Sequence, residues 1–153
     1  MIGLAAPRLR PLLWLAAGLA AFASLAFAFA SPAHVEDGWG YRGFFLVVAL
    51  AEMALSVALI VWSWRTEPLS GPDLRFARGA VEFGAIVAAA SVLAYVATWV
   101  TGVQHAGHSP ETIAAGPAVL DIVTKVAEVA LLAVLLRLAA LMSDRAEKAT
   151  SGV

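Results

Sequence analysis

Ala118-Val-Leu-Asp121-Ile-Val-Thr-Lys125-Val-Ala-Glu128-Val-Ala-Leu-Leu-Ala-Val-Leu-Leu-Arg137 is long and apolar enough to cross a bilayer, yet it carries an aspartate, a lysine and a glutamate inside the run. On a helix, Asp121 and Lys125 are four residues apart and share one face, and Glu128 extends the same stripe. Charges at membrane depth are costly, so such residues face a bundle interior or a cavity, where they pair or work. The rest of the chain reads as what surrounds this helix.

Composition agrees. The 153 residues are 61% hydrophobic and 14% charged, with mean hydropathy +0.85, whereas a soluble domain is about half apolar and about a quarter charged. An integral membrane protein with the lipid bilayer as its solvent follows, at a length that suits one domain. A net charge of −1 gives nucleic acid no purchase, and the absence of cysteine excludes disulfides, thiolate metal sites and palmitoyl anchors.

Four apolar runs are expected to span, at residues 11–30, 43–64, 79–101 and 118–142. The first suits about 30 Å of hydrocarbon. Its basic start (Arg8, Arg10) and Ala28-Phe29-Ala30 before Ser31 also match a cleaved secretory signal, although the run is long for one. Between the runs, 31–42 is a polar connector, 65–78 a loop punctuated by Pro68, Gly71 and Pro72, and 102–116 a second connector, with Pro117 suited to the first turn of the last helix. Trp62 and Trp64 close the second run as interface aromatics do. Gly84, Ala88 and Ser91 are small enough to let another helix approach closely. The tail after Met142 is polar and expected to fray.

Arg8, Arg10, Arg65, Arg75, Arg78, Arg137, Arg145 and Lys148 fall on one side of this four-span arrangement, and Arg42 on the other. Basic residues mark the cytoplasmic side, so a multi-pass protein of the inner cell membrane with both termini cytoplasmic is expected. At ~1.5 Å per residue, Lys125 lies about 12 Å below Pro117 and Glu52 about 13 Å below Gly43, which brings them to one level. Glu82 lies close to the inner end of its helix and reads as a solvated rim residue.

The last span resembles the final helix of the microbial rhodopsins, the bacteriorhodopsin-like family, where a lysine binds retinal as a Schiff base and an aspartate one turn outward belongs to its counterion. Asp121-Ile-Val-Thr-Lys125 has that spacing. Tyr95-Val-Ala-Thr-Trp99-Val-Thr-Gly102 is similar to the outer half of the family's sixth helix. Tyr41-Arg42, followed by Met53, looks like its fifth. The resemblance spans residues 41–140 and implies a four-helix counterpart of the family's last helices. It implies retinal on Lys125, with Asp121, Tyr95, Trp99 and Met53 around it, in a photoreceptor or light-driven ion transporter. Glu52 and Glu128 are additions to the family pattern. The family's seven helices and counterion-bearing third helix have no counterpart in four spans, and its sixth-helix tryptophan and proline fall at Val92 and Val96.

Other readings stay open. One is a non-enzymatic membrane subunit, in a homo-oligomer or larger complex, where Glu52, Asp121 and Glu128 form a structural charge knot with Lys125. A second is a small proton-coupled transporter using Glu52 and Glu128. A third places a metal or haem at His34, Glu36, His105 and His108, which lie in connectors rather than spans. No Gly-x-Ser-x-Gly, glycine-rich phosphate loop or His-Glu-x-x-His is present, so the chain reads as a non-enzyme.

Overall fold

A computed structural model describes residues 9–30, 39–65, 71–101 and 119–150. Apart from Leu9 and Arg65 these are all helical: α1 Arg10–Ala30, α2 Trp39–Trp64, α3 Gly71–Thr101 and α4 Val119–Thr150. All four helices are long and apolar enough to cross a membrane. In lipid only a helix satisfies every backbone polar group within a single segment.

The helices overshoot the apolar runs. Residues 71–78, expected as loop, form the first two turns of α3. Pro72 does not stop this helix because it sits in the first turn, where its missing N–H would have no intrahelical acceptor. Asp73 adds a negative charge where the helix dipole favours one. Likewise α2 begins at Trp39, inside the expected connector. At the other extreme α4 continues through the polar tail to Thr150 instead of fraying after Met142.

Each helix packs on its neighbours in chain order, and α4 returns to α1, closing a four-membered ring. Three hydrogen bonds fix α1 antiparallel to α2. Arg10 Nε donates to the Ser63 carbonyl (2.9 Å), Ser56 Oγ to the Ala17 carbonyl (2.9 Å) and Ser24 Oγ to the Ala49 carbonyl (2.7 Å). Each rung advances two turns along α1 and retreats two turns along α2, the spacing that keeps one seam in contact. Small residues make the approach possible: Ala16, Ala17, Ala20 and Ala23 line the buried face of α1. Gly84 of α3 does the same for Leu55 of α2, since a Cβ there would lie 2.5 Å from Leu55 Cδ2.

The buried core divides in two. In the half where α1 begins, Leu9, Leu13, Leu55, Leu59, Val81, Leu131, Leu135, Leu138 and Met142 form one cluster. Towards the other end a smaller cluster holds Phe27, Val48 and Ala49, with Phe45 and Val87 against it. Between them lies a layer of buried polar side chains. Outward-facing residues such as Phe29, Val47, Leu50, Ile86, Leu93 and Val100 are exposed and apolar, as a lipid-facing surface requires.

Trp14 packs against Trp64 (centroids 6.2 Å apart) and Trp62 against Phe76 (6.4 Å) at the end where α1 begins. Arg65 pairs with Asp73 at 3.5 Å and Arg78 with Glu82 at 2.6 Å, all well exposed. Glu82 is therefore a rim residue with a cationic neighbour one turn away. Exposed pairs of this kind contribute at most about 0.5 kcal/mol.

Candidate functional site

Lys125 is the hub of the polar layer. Its Nζ forms an ion pair with Glu128 Oε2, one turn along α4. It also donates to Ser91 Oγ on α3 at 3.1 Å. The same ammonium lies 4.6 Å from the centroid of the Phe27 ring on α1 and 5.3 Å from that of Tyr95 on α3, within the range at which an aromatic face attracts a cation. Glu52 on α2 lies within coulombic range of both Glu128 and Lys125. All four helices thus contribute to one cluster, as the matched depths of Glu52 and Lys125 in the sequence suggest.

Burial in the cluster is nearly complete. Glu128 is 0% and Glu52 2% exposed, while the Lys125 side chain keeps 16% of its surface. Both Glu52 carboxyl oxygens, and Oε1 of Glu128, are buried with no hydrogen-bond partner among the described residues. Two other buried serine hydroxyls, on α1 and α2, are committed to carbonyls: Ser56 to Ala17 and Ser24 to Ala49. Buried polar groups are nearly always paired, so three orphan oxygens in one cluster call for an explanation.

The charge count is unequal. Among the described residues, two buried carboxyl groups face one ammonium. A lone ion pair would need only one of them. The second leaves one negative charge to be neutralised by a proton or another cation, because an unpaired charge at this depth costs several kcal/mol.

The sequence-derived candidates separate into three groups. Lys125, Glu128, Glu52 and Tyr95 come together. Met53 does not join them: it is 36% exposed, because it follows Glu52 by one residue and a helix turns about 100° per residue. The side chains of Asp121 and Trp99, and those of the connector residues His34, Glu36, His105 and His108, lie outside the described residues.

Two partners escaped the sequence reading. Ser91 reads as a small packing residue, and nothing local marks its hydroxyl as the lysine's acceptor. Phe27 is indistinguishable in sequence from Phe29, yet the first is 3% exposed and the second 76%. No family model matches the chain, and neither a curated protein nor a solved structure is similar to it.

Proposed function

We propose that this chain is a small proton-coupled membrane transporter in which Glu52 carries the exchanging proton beside a fixed Lys125–Glu128 pair. The observation that carries this is the pair of Glu52 oxygens, buried at the level of the ion pair with no polar partner among the described residues. A carboxyl group kept only for architecture would be expected to accept hydrogen bonds, and this one accepts none there. Intramembrane acids of this type mark proton and ion pathways. The one-sided distribution of arginines supports an inner-membrane protein with both termini in the cytoplasm. The test is proton flux into liposomes holding the purified protein and a pH-sensitive dye, driven by a potassium diffusion potential. Flux above that of empty liposomes, removed by Glu52→Gln, is expected. Flux no greater than the empty control would refute the proposal.

A second reading follows the resemblance to the microbial rhodopsins and is favoured by the setting of the lysine. An amine flanked by a carboxylate and the faces of Phe27 and Tyr95 suits the attachment end of retinal. Retinal would be held through Lys125 Nζ and would supply light absorption, with Glu128 and Glu52 balancing the charge. Addition of all-trans retinal to purified protein distinguishes the readings. A visible band that Lys125→Ala lacks supports retinal; only free retinal absorbance removes it.

A further inference from the structure

The end of the bundle at which α1 and α3 begin collects arginine. Arg10 opens α1, Arg65 follows α2, Arg75 and Arg78 lie in the first turns of α3, and Arg137 lies near the end of the α4 span. Arg65 and Arg78 are held by Asp73 and Glu82, and Arg10 donates its Nε to the Ser63 carbonyl. Arg137 is different. It is exposed, it lies inside the span Ile122–Asp144, and it has neither an ion pair nor a hydrogen bond among the described residues. Apolar residues stand on both sides of it, Val129-Ala-Leu-Leu-Ala-Val-Leu-Leu136 before and Leu138-Ala-Ala-Leu-Met142 after.

The chain itself offers this guanidinium no acid. The nearest on α4 are Glu128 and Asp144, each at least about 10 Å of rise away. No acid precedes Arg10 in the sequence. Leu135, two residues before Arg137, packs beside Gly84, so the start of α3 at Gly71, and with it the connector that holds Glu67, is about 16 Å further out. A second copy of the chain would bring Glu82, which Arg78 already holds. A cation at this depth is too costly to leave in hydrocarbon. Its stem lies along the apolar surface while its head reaches for the nearest oxygen-rich layer, the lipid phosphates. The planar guanidinium fork matches a phosphate with two parallel hydrogen bonds. Ala133 and Ala140, one turn to either side on the same face, are exposed and small, which leaves a furrow in which an acyl chain can lie beside Leu136.

We propose that Arg137 holds the headgroup of an anionic phospholipid seated on the α4 face formed by Ala133, Leu136 and Ala140. The charge of the headgroup follows from the balance at this end. Among the described residues Arg10, Arg65, Arg75, Arg78 and Arg137 stand against Asp73, Glu82 and Asp144. A zwitterionic headgroup carries its own cation and leaves that excess as it is, whereas an anionic one reduces it. Basic sites on membrane helices recognise anionic headgroups in this way. The assignment is independent of the transport reading.

Native mass spectrometry tests this. Purified protein in detergent is offered equal amounts of phosphatidylglycerol and phosphatidylcholine with matched acyl chains, and the lipid retained is weighed. The chain should retain phosphatidylglycerol over phosphatidylcholine by about fivefold, the ratio that one arginine near an anionic surface contributes. Arg137→Gln should abolish the preference. Ala140→Glu, which places a carboxylate one turn from Arg137, should abolish it with the arginine still in place, and a second variant guards against one that does not fold. Arg65→Gln makes the same change of charge at an arginine already held by Asp73, and should keep the preference. Excess inorganic phosphate should leave the retained lipid unchanged, because the acyl chains contribute apolar contact that phosphate lacks. No preference in the wild-type chain, or an undiminished one in either variant at the site, would overturn the proposal. Equal loss in Arg65→Gln would overturn it in favour of diffuse attraction to the basic end, and displacement by phosphate in favour of a free anion.

Discussion

Removing Lys125 should destabilise the bundle more than removing its partner Glu128, because the cluster holds two carboxyl groups and one ammonium. Lys125→Met strands Glu128, which is 0% exposed, with a second buried acid, Glu52, within coulombic range of it. Stranding one partner of a buried pair costs about 3–5 kcal/mol, and the 16% exposure of Lys125 argues for the lower end, about 3 kcal/mol. Loss of the Ser91 hydrogen bond adds about 0.6 kcal/mol, the average found between membrane helices. Glu128→Leu instead leaves Lys125 with Glu52 as a nearby acid, and its cost should be about 1 kcal/mol, that of one charge-assisted hydrogen bond partly replaced. The double variant Lys125→Met, Glu128→Leu removes both buried charges and should fall near the wild-type chain, since apolar replacements of a buried pair are often neutral. Reversible unfolding in mixed micelles of dodecyl maltoside and dodecyl sulfate, followed by helical circular dichroism, would measure all three. A double variant as unstable as Lys125→Met would locate the cost in lost packing rather than stranded charge. Equal losses for the two single variants would show that Glu52 does not share the lysine.

Three further outcomes are expected. Gly84→Leu should lower the midpoint of thermal unfolding in detergent, at a cost of about 1–3 kcal/mol, by driving a side chain into Leu55. Gly84→Ala should lose less, because only the tip of Leu55 must shift and alanine gains about 1 kcal/mol of helix propensity; unchanged stability in the leucine variant would contradict the close approach of α2 and α3. Ser24→Ala and Ser56→Ala each remove one interhelical bond to a carbonyl and should cost about 0.6–1 kcal/mol in the same micelle titration. Arg78→Ala breaks an exposed pair with Glu82 and should change stability by less than about 0.5 kcal/mol; a loss several times larger would mean that the pair is not solvent-screened.

The errors of the sequence reading are local and have one cause each. Gly71 and Pro72 look like a helix stop, but the same residues are tolerated in a first turn, and only the start point decides between the two. The polar tail after Met142 suggests fraying because it has no apolar stripe, yet α4 carries on to Thr150. The pairing of Lys125 with Glu128 was legible because helical periodicity is short-range: residues three apart share a face whatever the fold. Within the stripe Asp121, Lys125, Glu128, sequence offers the lysine two carboxylates, and the structure gives Glu128 as an ion-pair partner.

Sequence alone determined that the chain is helical, that four runs can span a bilayer, and that one of them carries a lysine with acids on its own face. These follow from composition and local spacing. Only the tertiary structure decided that Glu52, from another helix, is buried within coulombic range of that lysine, that Ser91 accepts its hydrogen bond, and that Phe27 rather than Phe29 turns inward. The physical reason is that lipid and protein core are equally apolar. A membrane helix therefore shows no hydrophobic contrast between its two sides, and which face looks inward is set by small residues, interhelical hydrogen bonds and buried charge acting between helices far apart in sequence.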